Sequence, residues 1–432
     1  MRAVTALAMD VTVATAQAQP PVPVLEVAHQ HGAPALFSNR ESSGTAWVPE
    51  ITPMYGVHRA WAGWEFMAHG NAFLQFIDES GDVHRRGRQV SSINWVMGMA
   101  RRPLGTGRVG LRAMVSLEPW TIRGCGYPNL LATGEVCEGD TIHDRQHPHD
   151  LFMELAADYD RPLRGALRWQ VYAAPAGEPA IGPPGFPHRA SAVANPIAPI
   201  THHWLDATHI TFGVVTTGIY GPRWRAEASL FNGREPDAAR MGFDLAALDS
   251  FSGRFSLAPS NGLSVQLSAA HLHEAEAGVG RQPRTDVNRV TASAMHERRL
   301  GVRGTWATTL AYGVNSKVAI IPGGVLDELT HAVLLETSAT IDQRHSWFGR
   351  VEVVSKPAHD LHVHEYITEV FTVAKLEVGY VRHARAWHGL LPGIGGVLMG
   401  SLVPAPLAPR YGGRVAPGFG VFLTVRPVEH PR

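Results

Sequence analysis

The segment Arg108 to Glu118, RVGLRAMVSLE, places Val109, Leu111, Ala113, Val115 and Leu117 on one side. Arg108, Arg112, Ser116 and Glu118 fall on the other. Successive side chains of a β-strand point to opposite faces, so this segment has one apolar and one polar face. The pattern returns through most of the 432 residues. In 165–174, Leu167, Trp169, Val171 and Ala173 oppose Arg168, Gln170 and Tyr172. In 223–232, Trp224, Ala226, Ala228 and Leu230 oppose Arg225, Glu227 and Ser229. Val351 and Val353 oppose Arg350 and Glu352, and Phe419, Val421, Leu423 and Val425 share one face. No apolar run of 18 or more residues occurs, so no helix is expected to span a bilayer. A barrel with lipid outside and a polar interior needs only every second residue to be apolar.

The chain therefore reads as all-β, a transmembrane antiparallel β-barrel of the outer-membrane type with about sixteen strands. The candidates are 61–77, 90–100, 107–118, 150–159, 165–174, 207–217, 223–232 and 243–257, then 262–272, 287–297, 302–313, 331–342, 346–355, 371–384, 395–403 and 417–426. The count falls to fourteen or twelve if some of these are loops. Short connections, such as 101–106, 160–164 and 343–345, alternate with long ones at 119–149, 175–206, 273–286, 314–330 and 356–370. Short periplasmic turns alternating with long outer loops is the rule of such barrels. In the first candidate, Glu65, Met67, His69, Asn71 and Gln75 are expected inward. In the second, Ile93, Trp95, Met97 and Met99 are expected outward. Trp64, Tyr159, Trp224, Tyr312 and Tyr380 lie near strand ends, where aromatic girdles sit. A soluble β fold would solvate its polar face with Lys and Glu. Here that face carries Gly, Ser, Thr, Gln and Arg/Glu pairs, and charged residues are only 18%.

Residues 1–18 read as a secretory signal: Arg2, an apolar run from Val4 to Ala14 broken by Asp10, and Ala16-Gln17-Ala18 as the cleavage site. Residues 19–55 read as a periplasmic N-terminal extension, too short for the plug of an energised transporter, and 56–432 as the barrel, with long outer loops at 119–149 and 175–206. Cys125 and Cys137 flank a short loop that an exported protein can close with a disulfide. The formal net charge is +0, which implies no nucleic-acid partner.

Histidine is conspicuous at 23 residues. One cluster holds His143, Asp144, His147 and His149, and a second holds His202, His203, Asp206 and His209. They end two long loops on the same side of the barrel, so they can meet over its mouth or inside it. Imidazoles with a carboxylate suit a divalent transition metal, Zn, Cu, Ni or Co. The same residues can also serve as hydrogen-bonded loop anchors. His271 with His273, and His362 with His364, offer further pairs on outer loops. The lumen is expected to carry Glu65, Arg112, Glu118, Glu154, Asp158, Arg168, Arg225, Glu227, Glu336, Arg350, Glu352, Lys375 and Glu377. Interspersed signs fit either a charge-ringed constriction or a closed barrel crossed by ion pairs. No G-x-S-x-G, phosphate-loop or dinucleotide motif occurs, so neither a catalytic residue nor an organic cofactor is expected.

The segments MYGVHRAWAGWEFMAHG (54–70), SLEPWTIRGCGYPNLLATGE (116–135), HDRQHPHDLFMELA (143–156), NPIAPITHHWLDATHITFGVVTTG (195–218) and SLFNGREPD (229–237) resemble a family of functionally uncharacterised bacterial outer-membrane proteins. The resemblance runs over most of 54–427. It implies export and, through gene contexts suggestive of heavy-metal handling, a role with metals. It assigns no catalytic residue. The expected function is a porin-like channel for small polar solutes or metal ions. A closed barrel with a metal-binding or structural role is the alternative, and an outer-membrane enzyme a further one. The expected surroundings are the bacterial outer membrane, with its lipid and lipopolysaccharide. The sequence fixes no oligomeric state.

Overall fold

The computed structural model describes residues 37–81, 85–276, 283–321 and 324–429. The signal segment 1–18 and the start of the extension lie outside the described residues. In chain order the strands are β1 (Gly56–Trp61), β2 (Trp64–Glu79), β3 (Gly87–Leu104), β4 (Gly107–Val115), β5 (Tyr127–Cys137), β6 (Asp140–Gln146), β7 (Phe152–Arg164), β8 (Leu167–Ala176), β9 (Val214–Tyr220) and β10 (Trp224–Phe231). They continue with β11 (Ser250–Ser260), β12 (Leu263–Glu276), β13 (Thr285–Leu300), β14 (Gly304–Ile321), β15 (Gly324–Ile341), β16 (His345–Pro357), β17 (Val370–His383), β18 (Leu390–Leu402) and β19 (Val415–Pro427).

Sixteen of these form a closed antiparallel barrel. Each wall strand pairs with the next in the chain, except that β4 skips to β7, and β19 returns to β2 to close the wall. β2 is shared at this seam: its second half, Ala72 to Glu79, pairs with β19, and its first half, Trp64 to His69, pairs with β1. The short hairpin β1–β2 turns through Ala62 and Gly63, both at positive φ (50° and 78°). Two such residues give the turn whose twist matches that of the flanking strands.

All sixteen wall strands coincide with the sixteen expected segments, with shifted ends. β9 begins at Val214 rather than 207, and β11 at Ser250 rather than 243. The connection expected at 314–330 is strand on both sides, because β14 and β15 run on as a long hairpin. The segment 119–149, expected to be irregular, holds the two-stranded hairpin β5–β6, whose first strand is clasped by the Cys125–Cys137 disulfide.

The outer face is apolar. Leu111, Leu230, Leu267, Leu310, Leu335, Val351, Leu376, Leu398 and Val421 all point away from the lumen and are exposed. So much exposed aliphatic surface belongs against hydrocarbon rather than water. Trp61, Trp306, Trp347 and Trp387 are exposed beside the short turns, at one rim of the barrel. β3 departs from the expected orientation: Ile93, Met97 and Met99 are buried on the lumen face, while Val90 and Val96 point out. Here the lumen is itself apolar, with Phe37, Met67, Met114, Met153, Ile210 and Phe212 packed against Met97 and Met99.

Three segments enter the lumen. The segment 177–213, between β8 and β9, folds inward and is held from around the wall. Ser229 on β10 accepts from Ala180 N (2.8 Å), and Ser268 on β12 from Gly182 N (2.9 Å). Arg350 on β16 donates to Ile197 O (2.8 Å), Glu377 on β17 accepts from Asn195 (2.6 Å), and Asn71 on β2 donates to Val193 O (3.0 Å). Arg189, fully buried in this plug, pairs with Asp206 within it and with Glu336 of β15 (2.6 Å). The hairpin β5–β6 fills a second sector, where Lys375 and Lys356 of the wall donate to Asn129 (2.7 Å) and Thr133 (2.8 Å). Residues 37–55, the described part of the expected extension, lie inside the short-turn end. There Arg112 donates to Gly44 O (2.7 Å), Arg225 to Thr45 O (2.6 Å), and Thr52 to Glu297 (2.8 Å). Of the inward charges anticipated from the sequence, Arg112, Arg225, Glu336, Arg350, Glu352, Lys375 and Glu377 thus bind inserted chain, whereas Glu154, Asp158, Arg168 and Glu227 pair with neighbouring wall residues. Burying them unpaired would cost several kcal/mol per ion, which explains the density of partners.

Candidate metal centre

Proline sets the entry to the site. His147-Pro148-His149 follows β6 as non-helical chain, as the residue before a proline favours. His149 is then fixed twice by one carboxylate: its backbone N–H donates to Glu118 Oε2 (2.9 Å) and its Nδ1 to Glu118 Oε1 (2.9 Å). His147 Nδ1 turns to Pro148 O (3.2 Å). On the facing plug, one helical turn, His202–Leu205, brings His202 four residues before Asp206, so His202 Nδ1 donates to Asp206 Oδ1 (2.9 Å). The backbone carbonyl of Asp206 accepts from His209 Nδ1 (2.8 Å). Arg189 holds the other oxygen of the Asp206 carboxylate. His203 Nδ1 donates to Glu235 (3.0 Å).

Carboxylate and carbonyl oxygens only accept, so each of these Nδ1 atoms carries the proton. In a neutral imidazole the lone pair then sits on Nε2. The Nε2 atoms of His147, His149, His202 and His209 are all buried without a hydrogen-bond partner. Their rings gather: His202 to His209 is 5.1 Å between centroids, His149 to His209 is 5.3 Å, and His147 to His202 is 6.1 Å. Phe186 packs edge-on to His202 and His209, closing one side. Burial holds His147, His202 and His209 below the usual imidazole range; Arg240 and neighbouring histidines add to this at His147, and Asp206 opposes it at His202. His149 is the exception, raised by the Glu118 carboxylate against its burial.

The hairpin supplies a carboxylate. Gly134 (φ 120°) and Glu135 (φ 61°) both take positive φ, and the β5–β6 register slips between Thr133 and Val136. Such a bulge re-aims side chains, and strain of this kind gathers at working sites. Glu135 Oε1 comes 3.2 Å from His147 Nε2, without hydrogen-bond geometry. Its other oxygen pairs with Arg240, which also reaches Asp150 (3.4 Å). Burial raises Asp150 to about 7 and raises Glu135 also, against the pull of Arg240. Gly134 has no side chain because His203 occupies that space, and a Cβ there would overlap the imidazole ring.

Of the eight residues expected to form a site, the structure brings together His147, His149, His202, His203, Asp206 and His209. His143 and Asp144 lie elsewhere. His143 stacks on His362 at 4.0 Å, and Asp144 pairs with Arg85 and accepts from Leu131 N (2.8 Å). Alternation along β6 sends these two side chains into different surroundings from the histidines beyond the strand end. Glu118, Glu135, Arg189 and Arg240 were missing from the expected site. Glu118 was expected in the lumen, and only the fold shows that it orients His149.

A second, smaller group lies on the lipid-facing side at the long-loop rim. His271, His273 and Asp286 are, among the described residues, the one group whose ligand atoms lie within 4.8 Å of one another. His273 Nδ1 is 3.1 Å from Asp286 and His271 Nε2 is 3.8 Å from it. They can chelate a metal ion at the membrane edge. The plug imidazoles stand more openly than this, but with their free nitrogens buried.

The sequence matches no family model and no curated protein. Solved porins share its fold. OmpF of Salmonella typhi, solved with daunomycin, aligns at a TM-score of 0.50 and 8% identity, over 86% of this chain and 100% of that one. The outer membrane channel DcaP of Acinetobacter baumannii aligns at 0.48 and 10% identity over 86% and 100%. An anion-selective porin from Comamonas acidovorans aligns at 0.47 and 12% over 84% and 99%. The closed wall, its apolar outer surface and the OmpF-like fold make this an outer-membrane β-barrel, porin-like in architecture.

Proposed function

We propose that this barrel is closed to solutes and holds a divalent transition metal, Zn, Cu, Ni or Co, in its plug through His147, His149, His202 and His209. The reading is carried by one observation: four buried imidazoles have Nδ1 committed to an oxygen and Nε2 left without a partner. Histidines that bind metal are built in this way, with a carboxylate or carbonyl on the second nitrogen fixing the tautomer. An unpartnered buried nitrogen costs about 1–3 kcal/mol, which a bound ion would offset. An imidazole-rich set suits borderline metals, whereas Mg and Ca take oxygen ligands. Glu135 is the carboxylate best placed to join them. Asp206 and Glu118 orient the imidazoles rather than bind. Closure is supported by the hydrogen bonds that tie 177–213 to strands on every side of the wall. No chemistry on a substrate is involved, and the partners are the ion and the surrounding lipid and lipopolysaccharide.

The test is a Co(II) titration of the folded, full-length protein beside His147→Ala and His202→Ala. Each substitution is expected to weaken the same site at least tenfold. Unchanged stoichiometry and affinity in both variants would reject the site. In planar bilayers the same protein is expected to give no conductance steps, and discrete steps would replace the closed barrel with an open channel.

A further inference from the structure

Toward the short-turn end, the lumen face changes its chemistry. Six of the eleven methionines, Met54, Met67, Met97, Met99, Met114 and Met153, gather in one apolar cluster. Four are fixed by strand register: Met67 sits opposite Met99, and Met97 lies between His69 on β2 and Met114 on β4. His188, from the plug, completes the group, with Nε2 3.3 Å from Met114 Sδ. The His69 and His188 rings are 5.9 Å apart, and His69 Nε2 is buried without a hydrogen-bond partner. Met54, Met67, Met97, Met99, His69 and His188 line a cavity of about 110 Å³, and Met114 sits at its edge, against His188 and beside Met97.

Packing alone does not ask for methionine here. Leucine fills such a sector with less loss of side-chain freedom, and the other apolar sectors of the inward face are built mainly of Phe, Ile, Leu, Val and Ala. Thioether sulfur is a soft ligand that selects Cu(I) over the divalent ions preferred by carboxylates, and imidazole accompanies it readily. An imidazole nitrogen and a thioether sulfur 3.3 Å apart are close enough to share one ion. We propose that this chamber is a thioether–imidazole site for a soft monovalent cation, Cu(I), held by Met97, Met114, His69 and His188. It does not rest on the imidazole centre: one site offers sulfur, the other only nitrogen and oxygen.

The probe is Ag(I), which matches Cu(I) in charge and softness and does not change oxidation state in the titration. Full-length folded barrel is titrated with Ag(I), then with Co(II), beside Met97→Leu/Met114→Leu and the control Met241→Leu in an exposed outer loop. Leu for Met conserves volume and is tolerated in cores. The double variant is expected to bind Ag(I) at least tenfold more weakly, with Co(II) binding and the control unchanged. Unchanged Ag(I) affinity in the folded double variant would overturn the proposal. If that variant does not fold, X-ray absorption of the unaltered protein loaded with Cu(I) decides: sulfur scattering is expected, and nitrogen or oxygen scattering alone would overturn it. Loss of Co(II) binding in the imidazole variants with Ag(I) binding intact bears only on the plug centre.

Discussion

Along β16 the side chains alternate between lumen and lipid from Ser346 to Lys356, whereas between Gly177 and Gly213 nearly every residue is buried and no period appears. The difference follows from what surrounds each region. A wall strand has hydrocarbon on one side only, so half its residues are polar and half apolar. The plug is enclosed on all sides, so each of its buried backbone groups needs a partner. With little regular structure of its own, it takes many of those partners from the wall's inward side chains. The inward face of the barrel therefore specifies the fold of the plug, and the outward face specifies only the membrane.

That contrast can be broken at either end. The largest effect is expected from Arg189→Ala, which leaves Asp206 and Glu336 facing each other without their shared guanidinium. Breaking a buried pair in this way costs about 3–5 kcal/mol. The loss is expected in denaturant unfolding, together with conductance steps absent from the unaltered protein. Stability equal to wild type would mean that the plug is not held through its charges. On the opposite face, Leu335→Arg places a charge against lipid near the middle of β15, at about 2–4 kcal/mol. Refolding into liposomes measures it, and a neutral result would argue that this face does not meet hydrocarbon.

A subtler change leaves both regions folded. Glu118→Gln keeps the shape of the group that orients His149 but removes its charge. Outer-shell changes of this kind lower metal affinity about 10–100-fold, readable by Co(II) competition. The smallest effect concerns Glu178, in the plug, which burial raises to about 8 against the attraction of Arg254. A carboxyl raised on folding binds its proton more tightly in the folded state. Its contribution to stability is therefore full below the ordinary carboxyl range and is lost as pH rises through about 8. Glu178→Gln is expected to flatten the fall in stability between about pH 4.5 and about pH 8, and an unchanged slope there would assign that fall to other groups.

The wall was legible because two-residue alternation is a strong signal wherever one face meets lipid, as in β4, β8, β10, β16 and β19. The orientation of β3 was not, because Ile93, Met97 and Met99 are apolar on the lumen side, where the rule expects polarity. The reason is the apolar plug contact, including Phe212, more than a hundred positions along the chain. The hairpin β5–β6 escaped because Leu131, Gly134 and Glu135, all at positive φ, break its periodicity. The site was legible in part. The density of histidine marks His147, His149, His202 and His209, and their place at two loop ends on one side allows them to meet. Nothing local marks Glu118 or Arg189 as their supports, since both act on residues that only the closed barrel brings near.

The most direct test is anomalous diffraction at the cobalt edge from crystals of the full-length protein grown with Co(II). A peak enclosed by His147, His149, His202 and His209 is predicted. A peak only at His271, His273 and Asp286, or none in the plug at full Co(II) occupancy elsewhere, would contradict the account.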